Sequence, residues 1–324
     1  MIKTCWVVTE GKAGMEMQGQ ALADALKIPQ IITKRVTLRF PWNYISPCVR
    51  FAKQFSISNK GDTLNPPWPD LVITAGRRSV LAGLLIKHYS PVTKLICVQN
   101  PRISSSHFDV VIPSDHDQMP SSPNVIPVFG AIHRVTKEKL LIAEKEFQQT
   151  FSNYPQPKIG VIVGGNSRAY KMDLDTIKKI FEDIKLVQQQ HSASLLITAS
   201  RRTPPEVLNF LRKLKLPNTF YWDAEQNKQT ANPYLGILAS ADALLVTCES
   251  INMISEACAT TAPVYLLRLP GHSKRFDNFH QTLFVKKRIE WFEKKICFNN
   301  AEALEPVTKS LIKKIKEIID FPSS

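Results

Sequence analysis

The chain of 324 residues is long enough for two domains, each with its own apolar core. Hydrophobic residues at 44% and charged residues at 22% exclude a disordered or fibrous chain. The balance of 42 Lys and Arg against 28 Asp and Glu gives +14, which steers the protein toward anionic partners such as nucleotides, nucleic acid or acidic lipid headgroups without choosing among them. The longest uninterrupted apolar run, Val80 to Ile86, is far short of the about 20 residues of a membrane-spanning helix. With neither a signal peptide nor a transit peptide at the N-terminus, a cytoplasmic protein is expected. Cys5, Cys48, Cys97, Cys248, Cys258 and Cys297 form no close pair, so neither a disulfide framework nor a zinc site is expected.

In chain order, "TCWVV" reads as a buried strand and Met15 to Leu26 as its helix. "DLVITAG" is followed by a helix over Ser79 to His88, and "KLICVQN", "FDVVIP" and "NVIPVFG" complete a set of strands. Buried strands joined by helices or loops imply a parallel sheet covered on both faces. "FSNYPQPK" (Phe151 to Lys158) has two prolines and no period, and marks the expected boundary between a domain over 1–152 and one over 153–302. The second half runs "KIGVIVGG", a helix from Asp173 to His191, "SLLITAS", a helix after Pro204 and Pro205, "TFYWD", "ADALLVT", a helix over Met253 to Thr260, and "PVYLL". Leu304, Val307, Leu311, Ile315 and Ile318, three and four apart, predict an amphipathic closing helix within 303–324. The expected class is α/β, with two doubly wound, Rossmann-like domains facing each other across a ligand cleft.

A strand feeding a glycine turn and a helix aims backbone N–H groups and a positive helix end at one spot, where phosphate binds. "GVIVGGNSRAYKMD" has that form: Gly164 and Gly165 permit close approach, Asn166 and Ser167 can donate, and Arg168 and Lys171 bring charge. It lacks P-loop spacing and a full GxGxxG, and a tight turn with no ligand accounts for the segment equally well. In the other half, Gly11 and Gly14 bracket Lys12 in an arrangement suited to an anion or an acceptor. Arg77 and Arg78, and likewise Ser200, Arg201 and Arg202, repeat small residues and cations at strand ends, with surface ion pairs worth about 0 to 1 kcal/mol as the plain alternative. Glu249, Ser250, Asn252 and Met253, just beyond the strand "ADALLVT", are further candidates for holding a nucleotide sugar. Glu256, on the helix beyond, is placed to accept both hydroxyls of a ribose or simply to complement the helix dipole.

In order, "ITAGRRSV", "LICVQNPR", "VIPVFGAIHRV", "IGVIVGGNSR" and "ADALLVTCESINMISEACATTAPVY" resemble the GT-B glycosyltransferases, in particular the lipid-linked muropeptide N-acetylglucosaminyltransferases. Gln99 and Asn100 look like that group's Gln-Asn after the fourth strand, and Glu256 falls on its ribose-binding glutamate. Two departures stand out: Ser250-Ile251 where those enzymes have Gly-Ala, and "EGKAGMEMQ" in place of their Gly-Gly-x-Gly-Gly-His loop. A closer resemblance is to the mitochondrial fission "elongated mitochondria" family, sometimes described as predicted nucleoside-diphosphate-sugar epimerases. It is carried by Gly-Lys-x-Gly followed by Gln18, "QNPR", "HFDVVIPSDHD", "NVIPVFGAIHRV" and "CESINMISEA".

The resemblance implies metal-independent sugar transfer, with no cofactor and no metal. Helix N-termini and cations stabilise the departing nucleotide diphosphate in such enzymes, here Gly164 to Arg168 with Ser200 and Arg201. Asp173 and Asp175 spell a DxD but read as the start of a helix. Glu10, His116 and Asp117 are the candidates for a general base. Gly11, Lys12, Gly14, Gln18, Arg77, Arg78, Gln99 and Asn100 fall on the acceptor side. The implied partner is a nucleotide-diphosphate sugar; a nucleotide-sugar epimerase and a non-catalytic adaptor on the same fold are the alternatives.

From Ala25 to Gly61 the chain carries Lys27, Lys34, Arg35, Arg39, Arg50, Lys53 and Lys60 and no Asp or Glu. Phe40, Trp42, Tyr44, Phe51 and Phe55 are interleaved with these cations. The combination suits attachment to an anionic membrane surface, which would make the protein peripheral on the inner face of a membrane. Core packing is the alternative, and nucleic acid is not expected.

Overall fold

The computed structural model describes residues 2–47, 56–227, 229–304, 307 and 309–320. The chain divides into two compact units: Met1–Arg134 with Pro306–Ser324, and Val135–Glu305.

The first unit is built on a five-stranded parallel sheet. Strands β1 (Thr4–Thr9), β2 (Gln30–Arg35), β3 (Leu71–Ala75), β4 (Lys94–Val98) and β5 (Val110–Ile112) lie in the order β2-β1-β3-β4-β5. β1 and β3, buried on both faces, read as the continuous apolar runs that a covered parallel sheet requires. Helix α1 (Ala13–Ala25) follows β1, and α3 (Arg77–Tyr89) follows β3, while the single turn α2 (Trp42–Ile45) lies between β2 and β3. The segment "NVIPVFG" runs beside β5 but forms no strand. Val125 and Val128 make isolated bridges to Val111 and Ser114, and Pro127 between them has no N–H to continue the ladder.

The second unit carries six parallel strands: β6 (Lys158–Val163), β7 (Ser194–Ala199), β8 (Thr219–Asp223), β9 (Ala243–Thr247), β10 (Val264–Leu267) and β11 (Ile289–Trp291). Their order is β11-β10-β9-β6-β7-β8, so the chain builds outward from β6, then returns to its other side at β9. Helix α4 (Lys137–Phe151) precedes β6, and α5 (Leu174–His191), α6 (Pro205–Arg212), α7 (Tyr234–Ser240), α8 (Ile251–Cys258) and α9 (Lys274–Val285) connect the strands. α5 shows why such a helix forms. Asp173 caps it by accepting the Thr176 N–H at 2.8 Å, and Ile177, Phe181, Ile184 and Val187 make one buried stripe at spacings of three and four.

Residues 151–158, where the pattern breaks, lie inside the second unit between α4 and β6. Phe147 and Phe151 hold α4 there: Phe147 lies against Gly236 of α7 and Phe151 meets Phe220 edge to face. The last helix, α10 (Lys309–Ile318), belongs to the first unit. Its buried side is Leu311 and Ile315, continued by Ile319, packed with Leu22, Leu26 and Ile28. Ile318, expected on that side, points outward, because the buried positions recur every four residues from Leu311. Leu304 lies before the helix, its N–H donating to the Cys258 carbonyl at 2.8 Å. Among the described residues, no helix is long and apolar enough to cross a membrane.

Candidate functional site

In open parallel sheets, ligands bind where the strand order reverses, beyond the carboxyl ends of the strands. The second unit reverses between β6 and β9. β6 is followed by Gly164 and Gly165, and β9 by Cys248 and Glu249. The two ends are bonded to each other: the Gly164 N–H donates to the Thr247 hydroxyl at 2.9 Å and the Gly165 N–H to Glu249 Oε1 at 2.8 Å. A Cβ on Gly164 would overlap Glu249 Oε1, and one on Gly165 would overlap the Arg202 carbonyl. The room read from sequence as space for a phosphate is therefore occupied by the protein's own carboxylate and backbone.

Glu249 is buried. Its Oε2 has no hydrogen-bond partner among the described residues, and Arg202 reaches only to 3.9 Å from Oε1. Burial pushes its pKa up, against the pull of the Thr247 hydroxyl, the Gly165 N–H and Arg202. Beyond the glycines, Asn166 accepts the Met172 N–H at 2.8 Å and Ser167 accepts those of Ala169 and Tyr170. Asn166 and Ser167 thus shape the turn with their oxygens, while Arg168, Arg201 and Arg202 stand exposed around it. Ser200 orders the neighbouring loop by accepting the Arg202 N–H at 3.1 Å.

Ser250 caps α8, its hydroxyl accepting the Met253 N–H, and Asn252 and Met253 lie half-buried in the first turn. Glu256, two turns in, is buried and accepts a hydrogen bond from the Tyr234 hydroxyl at 2.5 Å. Burial pushes its pKa up to about 7, with the Tyr234 bond pulling the other way. Tyr234 had no mark in the sequence: a tyrosine opening a short helix after Pro233 carries no signal of a partner 22 residues on. The same holds for His280 of α9, whose Nε2 lies 3.2 Å from the Cys248 carbonyl. Burial pulls that imidazole down to about 4, so it stays neutral there.

The first unit reverses between β1 and β3, where two more strand-end loops meet. Gly76 caps α3 with φ +106, a left-handed conformation that admits glycine, and a Cβ would press on Glu10. Glu10 spans the reversal: Oε1 accepts the Arg78 N–H at 3.1 Å, and Oε2 pairs with Lys12 at 2.9 Å. Burial pushes its pKa up, but Lys12 and the Arg78 N–H together outweigh it and hold it below the ordinary range. That is the wrong direction for a general base, which works best near the operating pH.

Arg77 and Arg78 spend their guanidiniums on the carbonyls of Asn43 and Tyr44, at 3.2 to 3.3 Å, which anchors α2. Gln99 adopts φ +80 at the end of β4 and donates to buried Gln18 at 3.1 Å, while Asn100 accepts the Arg102 N–H. Gly11 and Lys12 are exposed and Gly14 is half-buried. His116 and Asp117 fall in a 3-10 turn over Asp115–Asp117; Asp117 is half-buried, and the His116 side chain lies outside the described residues. Glu10, Gly11, Lys12, Gly76 and Arg78 therefore come together, while His116 and Asp117 follow a different strand. Among the described residues, no three His, Cys, Asp or Glu side chains gather as metal ligands would.

Two parallel, doubly wound sheets, each with its loops gathered at the reversal, define the GT-B fold class. Three solved structures of similar fold are UDP-GlcNAc 2-epimerase of Methanocaldococcus jannaschii (13% identity, covering 98% of this chain and 100% of that one, TM-score 0.55), its Neisseria meningitidis counterpart (14%, 98% and 98%, 0.52) and a UDP-glucosyltransferase of Polygonum tinctorium (10%, 99% and 94%, 0.51). The chain belongs to the mitochondrial fission ELM1 family, whose profile matches residues 13–311. It is 24% identical to the uncharacterized protein RP120 of Rickettsia prowazekii over 98% of this chain and 97% of that protein. It is 28% identical to mitochondrial fission protein ELM1 of Arabidopsis thaliana over 66% of this chain, and spans 55% of the plant protein.

Proposed function

We propose that the second unit binds a nucleotide-diphosphate sugar at the β6–β9 reversal and that the protein carries out metal-independent sugar transfer. The observation that carries this reading is the set of groups around that reversal: the Ser250-capped start of α8, exposed Arg168, Arg201 and Arg202, and Glu256 within the same helix. The arginines and the helix start suit the diphosphate, and Glu256 suits the ribose hydroxyls. Glu249 sets the limit on the pose: an anion over Gly165 meets a carboxylate, so the phosphates belong with the arginines outside the glycine turn. A second reading, epimerisation of the sugar, draws on the Methanocaldococcus and Neisseria epimerase structures, both described as bound to UDP-GlcNAc.

Calorimetric titration with UDP-sugars, followed by NMR of the sugar without any acceptor, separates the readings. Binding without isomerisation favours transfer, isomerisation favours the epimerase, and no heat with any nucleotide sugar refutes both.

The transfer reading includes a membrane-associated acceptor. In support, Phe40 and Tyr44 are 78% and 69% exposed, edge to face 6.4 Å apart, with exposed Arg39 next to Phe40 in sequence. Trp42 takes no part, since it packs against Leu38, Leu81 and Leu85. Cys48, Arg50, Phe51, Lys53 and Phe55 lie outside the described residues. Replacing Phe40 and Tyr44 by Ser should reduce flotation with anionic vesicles and leave UDP binding intact; equal flotation of the two proteins would refute attachment through this face.

A further inference from the structure

Helix α4 turns one side inward, where Ala143, Phe147 and Phe151 are buried. Its other side carries Leu141 and Ile142, 50% and 58% exposed and adjacent in the middle of the helix. With Lys137, Glu138 and Lys145 they border a shallow depression. Removing such a pair from water is favourable by about 25 cal/mol per Å², yet the fold leaves both in it.

Glu138 and Lys145 are exposed and seven residues apart, about two turns. They therefore lie within about 20° of one line along the helix, with Leu141 to one side of it and Ile142 to the other. A surface helix pairs such charges three or four positions away, but the helical positions at those distances are Leu141, Ile142, Gln148 and Gln149. Neither charge makes an ion pair among the described residues.

The line is thus acidic at its start, apolar in the middle and basic at its end, and its midpoint falls between Leu141 and Ile142. A two-fold axis through that midpoint sets α4 antiparallel to a second copy of itself. Glu138 of each copy then stands opposite Lys145 of the other, and the two leucines and two isoleucines meet their own counterparts. Parallel helices would oppose like charges instead, and an anionic membrane gains nothing from the acid on this line.

We propose that α4 is the contact through which two copies of this chain associate, antiparallel across Leu141 and Ile142, with two reciprocal Glu138–Lys145 pairs. A contact of this kind is self-complementary, so it closes at a dimer. A single pair of helices belongs with the small interfaces, below about 1,200 Å² of buried surface, and the association is weak and concentration-dependent. The assignment is independent of the nucleotide reading.

Sedimentation velocity over a micromolar concentration series tests it. Wild type should move with concentration toward a mass twice the 36.6 kDa of one chain. Glu138→Lys and Lys145→Glu should each raise the dissociation constant about tenfold, since both cross pairs turn repulsive. Mixing the two single variants should restore association, because every cross pair is again of opposite sign, and the double variant should associate on its own. Leu141→Ser with Ile142→Ser should abolish the dimer. All four positions are exposed, so circular dichroism and urea midpoints should stay close to wild type. Should a single charge variant fail to fold, the double charge variant and the serine variant decide. Wild-type protein that stays monomeric throughout, as it would if a different protein covers this face, overturns the proposal. So does a dimer that the single variants leave intact, or a mixture of the two that fails to associate.

Discussion

Replacing Glu256 by Gln separates what burial does to this carboxyl from what the carboxyl does for a ligand. The group is buried on α8, with the Tyr234 hydroxyl 2.5 Å from Oε2, and burial raises its pKa from the ordinary 4.5 to about 7. With the folded value above the unfolded one, the native state keeps a proton that the unfolded chain has already released. Stability from this group is therefore full below pH 4.5 and is lost as the pH rises through about 7. A displacement of that size corresponds to roughly 3 kcal/mol. Glutamine keeps a carbonyl oxygen for Tyr234 and carries no charge. In urea denaturation, wild type and Glu256→Gln should be close in stability at pH 4.5, and the variant should be the more stable by roughly 3 kcal/mol at pH 8. Parallel stability curves for the two proteins would refute the reasoning. On the ligand side, ribose hydroxyls bonded to Glu256 favour its ionised form. UDP binding near neutral pH should then release protons from wild type and not from the variant, as read by calorimetry in buffers of different ionisation heat.

Glu249→Gln keeps an acceptor for the Gly165 N–H and removes the anion beneath the glycine turn, so UDP affinity should rise about tenfold by calorimetry; an unchanged affinity would separate the diphosphate from this loop. Arg212 holds buried Asp223 through two bonds of 3.0 Å, and Arg212→Met should cost about 3 to 5 kcal/mol in urea denaturation. Burial pushes the Asp223 pKa up, but Arg212 overrides it and holds it at about 2. That stabilisation is present above about pH 4 and lost toward pH 2, and Arg212→Met should flatten the acid limb of the stability curve. Ile315→Ala should cost about 2 to 5 kcal/mol, whereas Ile318→Ala, on the outer side of the same helix, should stay within about 0.5 kcal/mol.

Both sheets were legible in the sequence because their central strands are buried on both faces and appear as apolar runs between turn residues. β2 was not, since "QIITKR" sits at the sheet edge with alternate residues exposed, and β11 is three residues long. α7, seven residues long, carries no strong stripe in isolation; its position follows from partners such as Phe147 on Gly236. At the site, glycines and cations at strand ends were visible as types. What they do depends on long-range geometry. Arg77 and Arg78 hold the backbone of α2, Gly164 makes way for a carboxylate 85 positions later, and Glu10 is a paired acid whose pKa runs opposite to that of a base.

The return of the last helix to the first sheet has a consequence for how the protein is made. A ribosome delivers β1 to β5 first, with Leu22, Leu26 and Ile28 lacking the cover that Leu311 and Ile315 later supply. The whole of Val135–Glu305 emerges before that cover does, so the unit that starts second has the means to finish first. Closing the first core then requires its two chain segments to meet across an intervening folded body, whose compactness shortens the span that a flexible loop of equal length would have to close. Nascent chains halted before Lys309 should hold a protease-resistant second unit beside a first unit still open to cleavage.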